Sequence, residues 1–185
     1  MAAAYHGHLH IVSFLIEVGA DKDMSTNDGS TPIFVASQTG HLDVVRLLIE
    51  KGAGKDLTTC MGATPVFVAS QNGHLDVVRL LIEKGAGKDT ATDIGATPVF
   101  IASEFGHLDV VRLLIEEGAD KGHVDDDTGA TCVFIATHNG HIDEVRLLIE
   151  KGADQHRATH SGVTPLAVAS AKGHLEMARV LDGTY

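Results

Sequence analysis

The chain has no tryptophan and only two tyrosines, two cysteines and four prolines in 185 residues. Without large aromatic anchors, a chain that is 44% hydrophobic must build its core from repeated Leu, Ile, Val and Ala, helped by six Phe. Basic residues are scarce too: 14 Lys and Arg stand against 25 Asp and Glu, a formal charge of −11. That balance argues against a nucleic-acid partner, because such binding rests on a basic stripe that releases counterions. A protein or peptide, preferably basic, is the expected partner. No apolar run approaches the ~18–20 residues of a membrane span, so no membrane partner is expected. Met1 to Ala4 carries no basic region of a secretory leader.

What the chain does have is a period. Thr31-Pro32, Thr64-Pro65, Thr97-Pro98, Thr131-Cys132 and Thr164-Pro165 open successive units, and Gly-His follows at Gly7, Gly40, Gly73, Gly106, Gly140 and Gly173. Each Gly-His step is 33 residues except the fourth, which gains one residue near Asp125 to Asp127. Gly-Ala recurs at Gly19, Gly52, Gly85, Gly118 and Gly152. Thr before Pro predicts a helix N-cap with proline at the first helical position, where its missing N–H costs nothing. Gly40 ends that helix after about two turns, and His41 turns the chain into a second one.

In the second helix Asp43, Arg46 and Glu50 form one polar line, while Leu42, Val44, Val45, Leu47, Leu48 and Ile49 fill the rest. An isolated surface helix buries a single apolar stripe. One that is apolar nearly all round must be flanked on several sides, so each unit is expected to bury itself against its neighbours. The line recurs as Asp76, Arg79, Glu83, as Asp109, Arg112, Glu116, and as Asp143, Arg146, Glu150. Pairing of Asp43 with Arg46 within the helix adds ~0.2–0.5 kcal/mol if it forms.

The segment TPIFVAS followed by GHLDVVRLLIEKGA, within Thr31 to Ala53, resembles the ankyrin repeat, a unit of about 33 residues with a T-P-L-H-x-A core. The resemblance covers the whole chain as one array over 1–185: a partial unit at 1–26, full units at 27–59, 60–92, 93–126 and 127–159, and a partial unit at 160–185. It implies an all-α solenoid of stacked helix-turn-helix units, with short β-hairpin or loop fingers that form a concave face with the first helices. The chain departs from the family pattern in two ways. Phe34, Phe67, Phe100 and Phe134, with Ala167 in the last unit, replace the family's histidine and are read as core packing. Cys132 replaces a proline just after the inserted residue, so irregular geometry is expected in that finger.

Isolated chemistry is hard to find. Six of the twelve histidines are the Gly-His turn itself, and the other six lack metal spacing, His156 and His160 included, since their four-residue step falls in a loop. Asp125, Asp126 and Asp127 read as a solvated acidic tip without the pattern of a calcium loop. Gly54-Lys55 and Gly87-Lys88 echo a phosphate loop, but Asp follows where Ser or Thr is needed. Nearly every polar residue is copied four or five times, whereas a catalytic constellation occurs once. No catalytic residue, metal or cofactor is expected. Cys60 and Cys132, two units apart, should lie about 20 Å from each other by helix spacing, beyond the ~7 Å reach of a disulfide. Unpaired thiols lean toward a reducing compartment; an intracellular, cytoplasmic location is expected, with the nucleus left open.

Variation between the units falls on one surface, the finger tips and the ends of the first helices, where ankyrin arrays by resemblance hold protein partners. The candidate partner-binding residues there are Asp28, Gln38, Met61, Gln71, Asn72, Asp93, Ile94, Glu104, Phe105 and His138. Met61, Ile94 and Phe105 form the expected apolar centre, with Asp93 and Glu104 as an acidic rim. The expected function is a non-catalytic scaffold for a protein or peptide; the alternative is a targeting or regulatory arm of a larger enzyme. The first and last units are incomplete and lack polar caps, which suggests an excerpt of a longer array or self-association through the ends.

Overall fold

The computed structural model describes residues 1–183, so the expectation that the last helix breaks off at Tyr185 lies outside the described residues. By its internal contacts the chain divides into two compact units, 1–93 and 94–185. The first holds three helical hairpins: α1 (Ala2–Tyr5) with α2 (Leu9–Glu17), α3 (Pro32–Gln38) with α4 (Leu42–Glu50), and α5 (Pro65–Gln71) with α6 (Leu75–Glu83). The second holds α7 (Pro98–Phe105) with α8 (Leu108–Glu116), α9 (Cys132–Asn139) with α10 (Ile142–Glu150), and α11 (Pro165–Ala171) with α12 (Leu175–Asp182). Within 1–93, α3 lies between α1 and α5, and α4 between α2 and α6. Within 94–185, α9 lies between α7 and α11, and α10 between α8 and α12. First helices stack on first helices and second on second.

Local chemistry sets each boundary. The Thr31 hydroxyl accepts the Phe34 amide at 3.3 Å, and Thr64, Thr97, Thr131 and Thr164 cap their helices in the same way. α9 begins like the others although Cys132 stands where they have proline. At the other end, Gly40 sits at φ +74 and the His41 amide reaches back to Ala36 O at 2.9 Å, the six-to-one closure of a Schellman stop. The Gly-Ala step stops the second helix by the same means: Gly52 is at φ +77 and the Ala53 amide donates to Leu48 O at 2.9 Å.

The core is aliphatic, as the composition requires. Val44, Val45 and Leu48 of α4 are at most 1% exposed, and Val77, Val78 and Leu81 of α6 match them. Asp43, Arg46 and Glu50 stay in water. The intrahelical Asp43–Arg46 pair does not form. Its counterpart Arg146 instead crosses from α10 to Glu176 of α12 at 2.9 Å, an exposed pair of small energetic value. Phe34, Phe67 and Phe100 are buried, whereas Phe134 is half-exposed.

Hairpins one and six expose different surfaces. In α2 and at its C-cap, Ile11, Phe14, Leu15 and Val18 form an exposed stripe at helical spacing, between 41% and 63% accessible. Hairpin six is partly polar there: Asp182 stands where α4 has Ile49, and Ser170 is exposed where Ser37 is buried. The fingers are turns rather than strands. The one bridge among the described residues is antiparallel, between Val124 and Thr131.

Gly40 and Gly52 share a left-handed backbone but differ in surroundings. A Cβ on Gly40 would meet the His74 ring at 2.7 Å, whereas on Gly52 the nearest atom is Lys22 Cε at 3.9 Å. Gly52→Ala should therefore cost about 1–2 kcal/mol, the left-handed penalty alone, and Gly40→Ala clearly more. Chemical denaturation of the two variants checks this; equal losses would show that the ring contact does not matter.

Candidate functional site

Three kinds of rung join neighbouring hairpins, and together they set the geometry of the finger face. The first uses the Gly-His histidines. His41 Nε2 donates to Tyr5 O at 2.9 Å, His74 Nε2 to Gln38 O at 3.0 Å and His141 Nε2 to Glu104 O at 3.1 Å. In hairpin six the Lys172 ammonium does this job, donating to His138 O at 2.7 Å. The second rung uses a carboxylate: Asp23 accepts the Gly54 amide and Asp56 the Gly87 amide, each at 2.8 Å. That contact, and not phosphate binding, accounts for the repeated Gly-Lys-Asp.

The third rung joins finger tips. Within 1–93, the Cys60 amide donates to Asp28 O at 2.8 Å and the Asp93 amide to Met61 O at 3.1 Å. Within 94–183, the Asp126 amide donates to Ile94 O at 3.0 Å and the His160 amide to Thr128 O at 2.8 Å. All four use main-chain atoms only. Gly29 shows why a finger needs its glycine: it is at φ +83, and a Cβ there would lie 2.9 Å from the Thr59 backbone.

The fifth finger solves a problem of length. In other fingers a threonine closes the turn, with Gly62 N–H donating to Thr59 O and Gly162 N–H to Thr159 O, three residues apart. Here Gly129 N–H reaches four residues back to Asp125 O, which absorbs the inserted residue. The Asp125 carboxylate turns inward and accepts the Thr128 amide at 2.7 Å, the Thr128 hydroxyl, and the Ala130 amide at 2.9 Å. The expectation of a solvated acidic tip is thus corrected at Asp125, which is 7% exposed, and holds at Asp126 and Asp127. Burial raises the Asp125 pKa, but the Thr128 and Ala130 hydrogen bonds outweigh it and hold the carboxyl below its usual 3.8.

The candidate residues fall into both units. In 1–93, Met61 is 66% exposed, Gln38, Asn72 and Asp93 are also exposed, and Gln71 is half-buried. Asn72 donates to Val68 O at 2.8 Å, which ties it to its own helix. Asp28 is a turn former: hydrogen bonds from Thr26 first, then Ser30, hold its carboxyl below 3.8. In 94–183, Ile94, Glu104 and His138 come together along a groove of ≈ 590 Å³. Phe105, 51% exposed, is not among the lining residues; its ring stacks on His107 with centroids 6.4 Å apart. The groove has an apolar floor of Phe100, Phe134 and Val168, and Val163 stands at its rim. Val163 was legible as an outlier, since Ser30, Ala63, Ala96 and Ala130 hold its place elsewhere.

Cys132 is fully buried, and burial pushes its pKa up to about 12, which keeps that thiol protonated.

A family model described as ankyrin repeats (3 copies) matches residues 1–59, 51–125 and 99–183. The chain belongs to the ankyrin-repeat family. Ankyrin repeats are generally protein–protein interaction modules and are typically non-catalytic. No curated protein matches this ankyrin chain. Among its described residues no helix is long and apolar enough to cross a membrane.

Because the folded pKa of Asp125 lies below its unfolded value, its contribution to stability is complete above about pH 4 and is lost as pH falls through the folded pKa. Asp125→Asn should therefore destabilise the chain at pH 7 and make less difference in acid. Denaturant melts at pH 7 and pH 3 test this; a pH-independent gap would exclude the carboxylate.

Proposed function

We propose that this ankyrin chain holds a partner protein or peptide on the surface made by its finger tips and the ends of its first helices, without chemistry of its own. The groove in 94–183 carries the proposal. Exposed Ile94 (51%) and Val163 (37%) border a floor of Phe100, Phe134 and Val168, which gives an apolar centre with polar surroundings. Its volume lies in the range of ligand-holding clefts. The other unit offers residues of the same type on its fingers, with Met61 apolar beside Asp28 and Asp93. Two unpaired cysteines, Cys60 exposed and Cys132 buried, fit a reducing compartment.

Ile94→Asp, Val163→Asp and Phe105→Ala should each weaken partner capture about tenfold or more, while the far-ultraviolet circular dichroism stays that of the parent. Pull-down with titration of the recovered partner makes the measurement. Affinity unchanged in all three variants would refute the proposal.

A further inference from the structure

The ionisable side chains that line the groove are Glu104, Asp125, Asp127 and His138. Asp125 is consumed by its own turn, as described, and the His138 ring stacks on Phe134 at 6.4 Å. Glu104 and Asp127 remain, and among the described residues neither takes part in an ion pair. No lysine or arginine lines the groove. The nearby ammonium of Lys172 is engaged at the His138 carbonyl, 2.7 Å away, on the side of hairpin six. The cleft is therefore apolar at its floor and negative toward hairpins four and five. A carboxylate next to an apolar surface that excludes water attracts a cation more strongly than it does in open solvent.

We infer that the occupant is a peptide segment, free or part of a protein, that places an aliphatic or aromatic side chain on the Phe134 and Val168 floor and a lysine or arginine beside Glu104 and Asp127. This rests on the reading of the groove as the partner surface and adds the chemistry of the partner to it. Arginine fits a carboxylate by two parallel hydrogen bonds and lysine by a point charge; the site admits either. Acidic segments are repelled by the same two carboxylates, so the groove discriminates by sign of charge as well as by shape.

The test uses the full chain as an immobilised target for a display library of short random peptides. Enriched peptides should carry Lys or Arg close to an apolar residue. A synthetic copy of one should lose about tenfold or more in affinity when its cation is changed to Asp, and regain it on a Glu104→Lys, Asp127→Lys double variant. Val163→Asp should abolish binding of either peptide. If the enriched peptides show no preference for cations, yet Val163→Asp still abolishes their binding, the charge requirement fails and the groove reading survives. If nothing is enriched, or if binding ignores Val163→Asp, both fail.

Discussion

The glycine that ends a first helix in this chain does two jobs at once, and the spacing of the hairpins follows from both. Its left-handed backbone stops the helix, and its missing side chain admits the imidazole of the next hairpin within its unit. A Cβ on Gly7, Gly40 or Gly106 would lie 2.6–2.7 Å from a ring atom of His41, His74 or His141. With the ring in that place, its Nε2 meets a helix-end carbonyl that has no partner within its own helix. The repeated Gly-His is thus a spacer with a hydrogen bond built in, and the aliphatic second helices pack at the distance it allows.

Because the rungs use main-chain groups on the carbonyl side, they place no demand on the side chains of the accepting residues, which belong to the proposed partner surface. Asp28, Met61, Ile94 and Thr128 share a carbonyl role, and their side chains have nothing in common. Tyr5, Gln38, Glu104 and His138 are likewise interchangeable as acceptors at the ends of first helices. The frame therefore constrains backbone at these positions and composition elsewhere. Variation among the chain's own units is permitted by the same contacts that hold them in register, so a binding surface can change without loss of the stack.

Helix positions, caps and stops were legible in the sequence because each rests on local chemistry: Thr before Pro, then Gly, then an aliphatic run. Features that depend on the next hairpin were not. The role of Asp23 and Asp56 could not be read, since each caps an amide 31 residues away. Glu144 reads as one more polar residue beside Asp143, yet it takes the place of Val44 and is 5% exposed. At the candidate site, Ile94, Glu104 and His138 were found from variation alone, whereas the floor residues Phe134 and Val168 were hidden within the repeat pattern of the core. Phe105 stood out by type, but its ring stacks on His107 and does not line the groove. The inward turn of Asp125 could not be told from three adjacent acids.

The rungs between fingers make a claim that amide hydrogen exchange reads directly, since loop tips ordinarily exchange at nearly the free rate and buried, bonded amides do not. The amides of Cys60, Asp93, Asp126 and His160 should be protected to a degree comparable with the helix amides, although all four sit at finger tips. The equivalent amide of Asn27, which has no such bond, should exchange quickly and serves as the internal control. Fast exchange at all five positions would contradict the account, because the fingers would then be free loops and the groove would have no fixed wall.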